Sequence, residues 1–426
     1  MNTWTLERLV ALLREEGIRR FYLVTEDGRV RASHARLRPL AEWLAASPDY
    51  AEHEGFFVEL GATGVLHGAC VHRTCRGQGA GGVRNWHYDT VGDYLTDGLR
   101  LARGMTHKNA LAGLWWGGGK GVMALCADEH EPARRRAIYE EYGAFISSLR
   151  GSYVTAEDVG TSVEDMAAVF RATRFTTCIP ERLGGSGNPS VPTARGVLVG
   201  MRAALEHRGH GEGVEGKTVA VQGLGHVGAP LVEMLMEAGA ARVLGSDVDP
   251  NAAALADRFG GKLDVRIVPR GDRSILAAEA DVLAPCAVGG VLDADTISRV
   301  RAKVVCGAAN NQLADPEADD RRLFEAGITY VPDFLVNRMG IVTCADEAFG
   351  YVDDDPAIAT HLGRDDPQSI HRVTQDVLRM SDEQRRPPGA IALGMAEERS
   401  RREHPIWGHR GQAIIRSLVT SGWERG

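Results

Sequence analysis

The chain has 426 residues, 44% of them hydrophobic and 25% charged, which is more than one hydrophobic core accommodates and excludes a disordered or fibrous protein. Forty-nine basic against 57 acidic residues give a formal charge of -8, which excludes a dedicated nucleic-acid surface. The seven cysteines are scattered and form no CxxC pair, so neither a disulfide framework nor a metal site is expected and a reducing, cytoplasmic setting fits.

The first stretch, "MNTWTLERLVALLREEG", predicts an amphipathic helix with an apolar stripe at Leu6, Leu9, Val10 and Leu13. Its glutamates and arginines interrupt any signal or membrane-spanning run, so no membrane partner is expected. "FYLVTEDGRVRAS" reads as strand, Asp-Gly turn, strand, and "LRPLAEWLAAS" as a helix. A second hairpin follows in "EGFFVELGATGVLHGACVHR", then "GQGAGGVRNW" as a glycine-crowded loop, then a helix at about 91 to 104. "ARRRA" at 133 to 137 opens a solvated helix. From residue 216, the runs "ARVLGSD", "DVRIVP", "ADVLAPCA", "AKVVCGAA" and "ITYVPDF" alternate with helical patterns, the mark of a parallel sheet with crossover helices. From 355 onward the pattern is helical and polar.

In "VAVQGLGHVGAPLVEML" a buried strand runs into Gly223-x-Gly225-x-x-Gly228 and then a helix, and "VLGSD" places Asp247 at the end of the next strand. The first glycine permits the turn, the second lets backbone approach a pyrophosphate, and the third lets helix and strand pack. Asp247 reads as an acceptor for adenosine ribose hydroxyls, which favours NAD over NADP, or as the cap of a following helix.

"GLWWGGGKGVM" sets Lys120 behind three glycines, yet it is no ATP-binding loop: Leu114 stands where the first glycine is required, and Gly121 where a Ser or Thr must hold magnesium. "GGSGN" likewise fails as a serine-hydrolase elbow, ending in Asn188. A glycine run beside a lysine lets a small substrate lie against backbone while an amine reaches its reacting carbon. Lys108 in "GMTHKNA" and Asp158 in "TAEDVG" are candidate companions. Two neighbouring amines and burial would lower a lysine pKa toward the range of a general base. On composition alone each lysine is a solvated surface residue, and Asp158 is also readable as a helix cap, although Thr161 or Ser162 suits that position better.

Together these motifs resemble the glutamate/leucine/phenylalanine/valine dehydrogenase superfamily, in its leucine-type branch. The ordered set is "GGVRNW", "RGMTHKNALAGLWWGGGKGV", "YVTAEDVGTSVEDM", "GGSGNPSVPTARGV", "VQGLGHVG", "DVLAPCAVGG", "VVCGAANNQLADP" and "YVPDFLVNRMGIVTCADEAFGY". The resemblance implies an α/β protein of two domains: residues 1–180 as substrate-binding and oligomerisation domain, with 346–426 packing back on it, and 181–345 as a Rossmann NAD-binding domain. It implies reversible, NAD-dependent oxidative deamination of an L-amino acid to a 2-oxo acid and ammonia by a homo-oligomer, with substrate in a cleft that closes. By the same resemblance Lys120 would be the general base that activates water, and Asp158 would exchange protons with the substrate nitrogen. Lys108, Asn311 and the backbone of Gly81 and Gly82 would hold the substrate carboxylate. Gly223, Gly225, His226, Val227, Gly228, Asp247 and Asn310 would hold NAD.

Ala80, Ala156, Thr177, Ile341 and Cys344 would line the side-chain pocket, an apolar lining that suits a branched-chain or aromatic substrate and disfavours glutamate. Three departures from the family pattern stand out. Arg338-Met339 replaces small residues expected near the nicotinamide, Trp115-Trp116 precedes the lysine and could refill the pocket, and about 45 residues precede the family pattern, resembling a duplicated hairpin. The first departure motivates an alternative reading, a diverged protein that binds NAD and an amino acid as a sensor or in a specialised biosynthetic pathway.

Overall fold

The computed structural model describes residues 4–125, 128–350 and 355–426. The chain divides into two compact units, one of Met1–Asn188, Cys344–Tyr351 and Ala396–Gly426, the other of Pro189–Thr343 and Val352–Met395. Six cysteines are free thiols, and the seventh, Cys126, lies outside the described residues.

The first unit begins with α1 (Leu6–Glu15), capped by Thr5, whose hydroxyl accepts from the Arg8 N–H. Leu6, Leu9 and Leu13 are its buried stripe. β1 (Arg20–Glu26) and β2 (Arg29–Ala32) join through Asp27 and Gly28, both at positive φ, which the tight hairpin turn demands. After α2 (Arg38–Ala46) come β3 (Gly55–Leu60) and β4 (Leu66–Val71). β1 pairs antiparallel with both β2 and β3, so the N-terminal addition extends the sheet by two strands. Leu9, Leu13, Phe21, Leu23, Phe56 and Val58 share one core with it.

The glycine-crowded segment expected as a loop contains two short strands, β5 (Gly79–Ala80) and β6 (Val83–Trp86). The following helix, α3 (Val91–Leu111), opens on a Thr90/Asp93 capping box and runs seven residues beyond the expected 104, so Lys108 is helical. "GGGKGVMA" is likewise a strand, β7 (Gly117–Ala124), and it occupies the middle of the sheet. α4 (Pro132–Ser148), β8 (Tyr153–Val154) and α5 (Val163–Phe170) complete the segment. The strand order is β2-β1-β3-β4-β7-β5-β8, with β6 also paired to β7.

The second unit starts with α6 (Ser190–His207). Then follow β9 (Thr218–Gln222), α7 (Gly228–Glu237), β10 (Arg242–Asp247), β11 (Leu263–Ile267), β12 (Val282–Pro285), β13 (Val304–Val305) and β14 (Thr329–Tyr330). All pairings are parallel, in the order β11-β10-β9-β12-β13-β14. That is the doubly wound order of dinucleotide-binding sheets. The helix Ile370–Gln384 packs on α6, where His371 pairs with Glu206 at 3.0 Å and Gln375 donates to the Ala203 carbonyl at 3.0 Å. Residues 352–395 therefore group with the second unit, whereas the sequence had placed all of 346–426 with the first. The last segment does pack on the first unit: Arg73 donates to Glu397 at 3.0 Å, and His409 bonds Glu54 at 2.9 Å.

Two buried histidines tie β3, β4 and α3 together. His53 accepts from the Ala51 N–H at 3.1 Å and bonds the Leu99 carbonyl at 2.9 Å; His72 bonds Thr106 at 2.7 Å, and the two rings lie 4.6 Å apart. Burial lowers His53 to about 4 and His72, with help from the charge of His53, to about 2. Between pH 6.5 and 4 the unfolded chain takes up protons that these rings refuse, so their contribution to stability falls as pH falls through that window. Urea midpoints at pH 7, 5.5 and 4.5 are expected to decrease in that order, with a shallower slope in His53→Gln; equal slopes would show that His53 does not titrate with folding.

Candidate active site

β7 changes neighbour along its length. Gly117 and Gly118 pair with β5, residues 121–124 pair with β6, and Gly81-Gly82 lie between those two strands. The segment after β8 continues alongside: Gly81 donates to the Val154 carbonyl at 3.2 Å, Val83 to Ala156 at 2.8 Å and Asn85 to Val159 at 3.0 Å. Three parallel segments result, with Lys120 on one, Asp158 on another and two glycines between them. With no side chain at Gly82, whose Cβ would sit 2.7 Å from Asp158 Cβ, the Lys120 amine reaches the Asp158 carboxylate and forms an ion pair.

The pair is sheltered, with Lys120 6% and Asp158 20% exposed in their side chains. Burial alone would raise the Asp158 pKa, but the Lys120 ammonium and the Arg84 guanidinium outweigh it and hold the carboxyl below its usual value. Asp158 does not cap α5: Ser162 does, in a capping box with Asp165. Asp158 instead closes a turn, its N–H donating to Thr161 Oγ1 at 2.9 Å. Neighbouring Glu157 is pushed up to about 7, first by burial and then by the charges of Asp158 and Asp165.

Lys108 lies in the last turn of α3. One turn earlier, Met105 abuts Gly81, whose Cβ would come 2.8 Å from its Cγ, and Asn109 donates to the Gly117 carbonyl at 2.6 Å. These contacts hold the Lys108 turn against β7 and the glycine pair. The chain has only five lysines among 49 basic residues, and the two in the first unit are these. Where arginine would supply charge alone, lysine supplies an amine that can lose its proton.

The glycines of β7 do not open a surface to substrate, as the sequence suggested. A side chain at Gly117 would meet the Arg73 carbonyl, at Gly118 Thr106 and the Ala102 carbonyl, at Gly119 the Tyr153 ring, and at Gly121 the Tyr142 hydroxyl. They are consumed by packing around one strand, and Lys120 is the one charged side chain it carries.

Ala80, Ala156, Thr177 and Cys344 are buried in the first unit, while Ile341, also buried, belongs to the part of the helix Met339–Gly350 assigned to the second. Cys344 Sγ lies 3.3 Å from Sγ of Cys178, a residue at φ +58°. Glu347, missed in the sequence, fixes this region: it accepts from the N–H groups of Cys178 at 2.9 Å, Ile179 at 3.2 Å and Ser186 at 3.1 Å. Arg84 was also missed; on β6 it stands opposite Val122 of β7, two residues along from Lys120 and hence on the same face of the sheet.

In the second unit Gly223 has φ +88° and turns the chain from β9, and a Cβ at Gly228 would collide with the Gly223 carbonyl. A Cβ at Gly225 meets nothing within 4 Å, leaving backbone open to a ligand. His226 and Val227 complete the turn before α7. Asp247 ends β10 and accepts from the Leu224 N–H at 2.6 Å and the Asp249 N–H at 2.8 Å. Asn310 Oδ1 accepts from Asn337 at 2.8 Å, and Asn311 sits at φ +53° with its side chain exposed. Open backbone at a helix start and a carboxylate at the end of the next strand fit an adenine dinucleotide.

Residues 58–175 match the family model described as Glu/Leu/Phe/Val dehydrogenase, dimerisation domain, and residues 184–251 and 255–384 match Glutamate/Leucine/Phenylalanine/Valine dehydrogenase. The chain belongs to this family. Leucine dehydrogenase of Geobacillus stearothermophilus is 41% identical over 303 residues, covering 71% of this chain and 80% of the relative. Valine dehydrogenase of Streptomyces coelicolor is 39% identical over 345 residues, covering 81% and 91%. Among solved structures, L-tryptophan dehydrogenase from Nostoc punctiforme matches with a TM-score of 0.67 at 30% identity, covering 82% of this chain and 96% of that one. The protein is an amino acid dehydrogenase.

Two of the departures find a structural account in this dehydrogenase. Arg338 and Met339 are fully buried; Arg338 donates to the Gln368 carbonyl, and Met339 Cγ packs where a Cβ at Gly196 would come within 2.9 Å. Their bulk fills the interior of the second unit, which removes the observation that motivated a sensor reading. Trp115 lies under the Arg76 guanidinium at 4.3 Å and against His404 at 5.2 Å, so it packs on the returning C-terminal segment. Among the described residues no helix is long and apolar enough to cross a membrane, and no cluster of three or more His, Cys, Asp or Glu could hold a metal.

Proposed function

We propose that the enzyme oxidatively deaminates an apolar L-amino acid, branched-chain or aromatic, to the 2-oxo acid and ammonia with NAD as acceptor, in a reversible reaction. The observation that carries this reading is the sheltered Lys120–Asp158 pair beside the α3 turn that bears Lys108. Bound NAD would supply the acceptor for a hydride from the substrate α-carbon. Gly223, Gly225, His226, Val227, Gly228 and Asn310 would hold it. Asp247 would accept from the adenosine ribose hydroxyls and repel a 2′-phosphate.

Lys120, as the free amine, takes a proton from the water that attacks the imino carbon. Asp158 takes and returns the proton of the substrate nitrogen and stabilises positive charge beside it. Lys108 binds the substrate carboxylate with the backbone at Gly81 and Gly82, and Asn311 is proposed for the same group. Ala80, Ala156, Thr177, Ile341 and Cys344 are the proposed contacts of the substrate side chain; all are small or apolar, and none could pair a γ-carboxylate. The leucine, valine and tryptophan dehydrogenases among the similar proteins support that substrate class. A homo-oligomer in the cytoplasm is the expected setting, the first supported by the dimerisation-domain match.

The test is NADH formation at alkaline pH with leucine, valine, phenylalanine, tryptophan and glutamate. Turnover of apolar substrates well above glutamate supports the proposal, and no absorbance change with any of them overturns it. Lys108→Ala, which removes a charged hydrogen bond worth about 2–3 kcal/mol, should raise KM for the amino acid by roughly 30- to 150-fold with a smaller change in kcat. An unchanged KM would take Lys108 away from the carboxylate.

A further inference from the structure

Lys120 can accept a proton only after it has lost its own, and at that moment Asp158 loses its nearest cation. A carboxylate that is four-fifths sheltered needs a replacement. The group placed to supply it is Arg84. Its Nε lies 3.7 Å from Asp158 Oδ2, too far for a hydrogen bond. The Nη1 end is tethered, donating to Asp97 Oδ1 at 3.1 Å, and Asp97 accepts in turn from the Tyr88 hydroxyl at 2.7 Å. The Nε–H is buried, with no hydrogen-bond partner among the described residues. An orphaned buried donor is costly, more so when charged, so the arrangement calls for a state in which that donor is satisfied. A carboxylate shift of about 1 Å brings Oδ2 to normal charge-assisted distance.

We propose that Arg84 is a positioning residue that receives the Asp158 carboxylate when Lys120 turns neutral, so that Asp158 moves between two cations during each turnover. The idea rests on Lys120 being the base, as proposed above. It explains why a strand arginine points one nitrogen at the site without using it, while Asp97 holds the other end at a fixed reach. Asp158 is otherwise faced by Glu157 beside it and Tyr153 from β8, with Lys108 on the α3 helix that also carries Asp97. Apart from the two lysines, Arg84 is the cation among these groups.

The experiment compares wild type, Arg84→Gln, Arg84→Lys and Asp97→Asn by kcat and KM across pH 7 to 11, with thermal midpoints measured alongside. Without Arg84, the ionised carboxylate holds Lys120 protonated more firmly. Arg84→Gln should therefore lower kcat about 30- to 100-fold, leave KM for the amino acid within about threefold, and move the acid limb of kcat to higher pH by about one unit. Arg84→Lys, which keeps the charge but not the two-ended reach, should fall between. Asp97→Asn, which loosens the tether and keeps the Arg84 charge, should lower the thermal midpoint and move the acid limb by much less than Arg84→Gln does. An Arg84→Gln enzyme with the wild-type kcat and acid limb overturns the proposal. So does an Asp97→Asn enzyme whose acid limb moves as far, because Arg84 would then be merely structural. Absence of wild-type turnover with every amino acid tried instead overturns the reading on which the proposal rests.

Discussion

Lys120→Ala is expected to reduce kcat by about 10³-fold or more while NADH binding, read by fluorescence quenching, stays within a few-fold of wild type. Positioned acid–base groups contribute roughly 10²–10⁴-fold, and Lys120 is the amine ion-paired with Asp158, while Arg84 cannot be deprotonated. The turn proposed for the dinucleotide lies in the second unit, so removing the amine leaves it intact. The variant also leaves a sheltered Asp158 with Arg84 as its remaining cation, and its pKa should rise accordingly. Asp158→Asn, which keeps the shape and removes the charge, should lose a comparable factor. Residual turnover of Lys120→Ala above about a tenth of wild type would take Lys120 out of the base role.

Gly118→Ala is expected to be as damaging through a different route. The added methyl would run into Thr106 Oγ1 and the Ala102 carbonyl, both on α3, so the helix must move off the strand. Overpacking of this kind costs on the order of 1–3 kcal/mol, and here the obstacle is backbone. Thr106 also bonds the buried His72, and Lys108 is two residues further along. The displacement therefore separates the lysine proposed for the carboxylate from the one proposed as base, and kcat/KM should fall more than about 100-fold even in material that folds. Gly104→Ala is the control, because a Cβ there meets nothing within 4 Å; it should be stabilising by about 0.5–1 kcal/mol, as alanine is in any helix interior. If both alanine variants behave alike, close approach of α3 to β7 is not what holds the site.

Much of the fold was legible because its signals are local. The Asp-Gly turn needs positive φ at two residues, and the sequence names them; the parallel strands of the second unit announce themselves as short apolar runs. The stretch from Gly79 to Ala124 was misread for one reason. Its glycines match the composition of a loop, yet those of β7 are small because something else occupies the space, and those occupants come from Arg73, α3, Tyr142 and Tyr153. No window of neighbouring residues contains that information. The end of α3 was placed too early in the same way, since the packing that sustains its last two turns is against β7.

The sequence by itself determined the family, and it singled out the glycine turn after β9 and Lys108, Lys120 and Asp158 as candidates, because each is a residue type whose chemistry depends on its own functional group. Tertiary structure alone decided that Lys120 and Asp158 are ion-paired across two glycines, that Arg84 stands behind the carboxylate with an unused donor, and that Glu347 pins the loop at Cys178. It also turned Arg338, Met339 and Trp115 from suspected site residues into packing. The physical reason is common to all of these. Charge, hydrogen bonding and close packing act over a few ångströms between residues tens of positions apart, and only the folded sheet sets those distances.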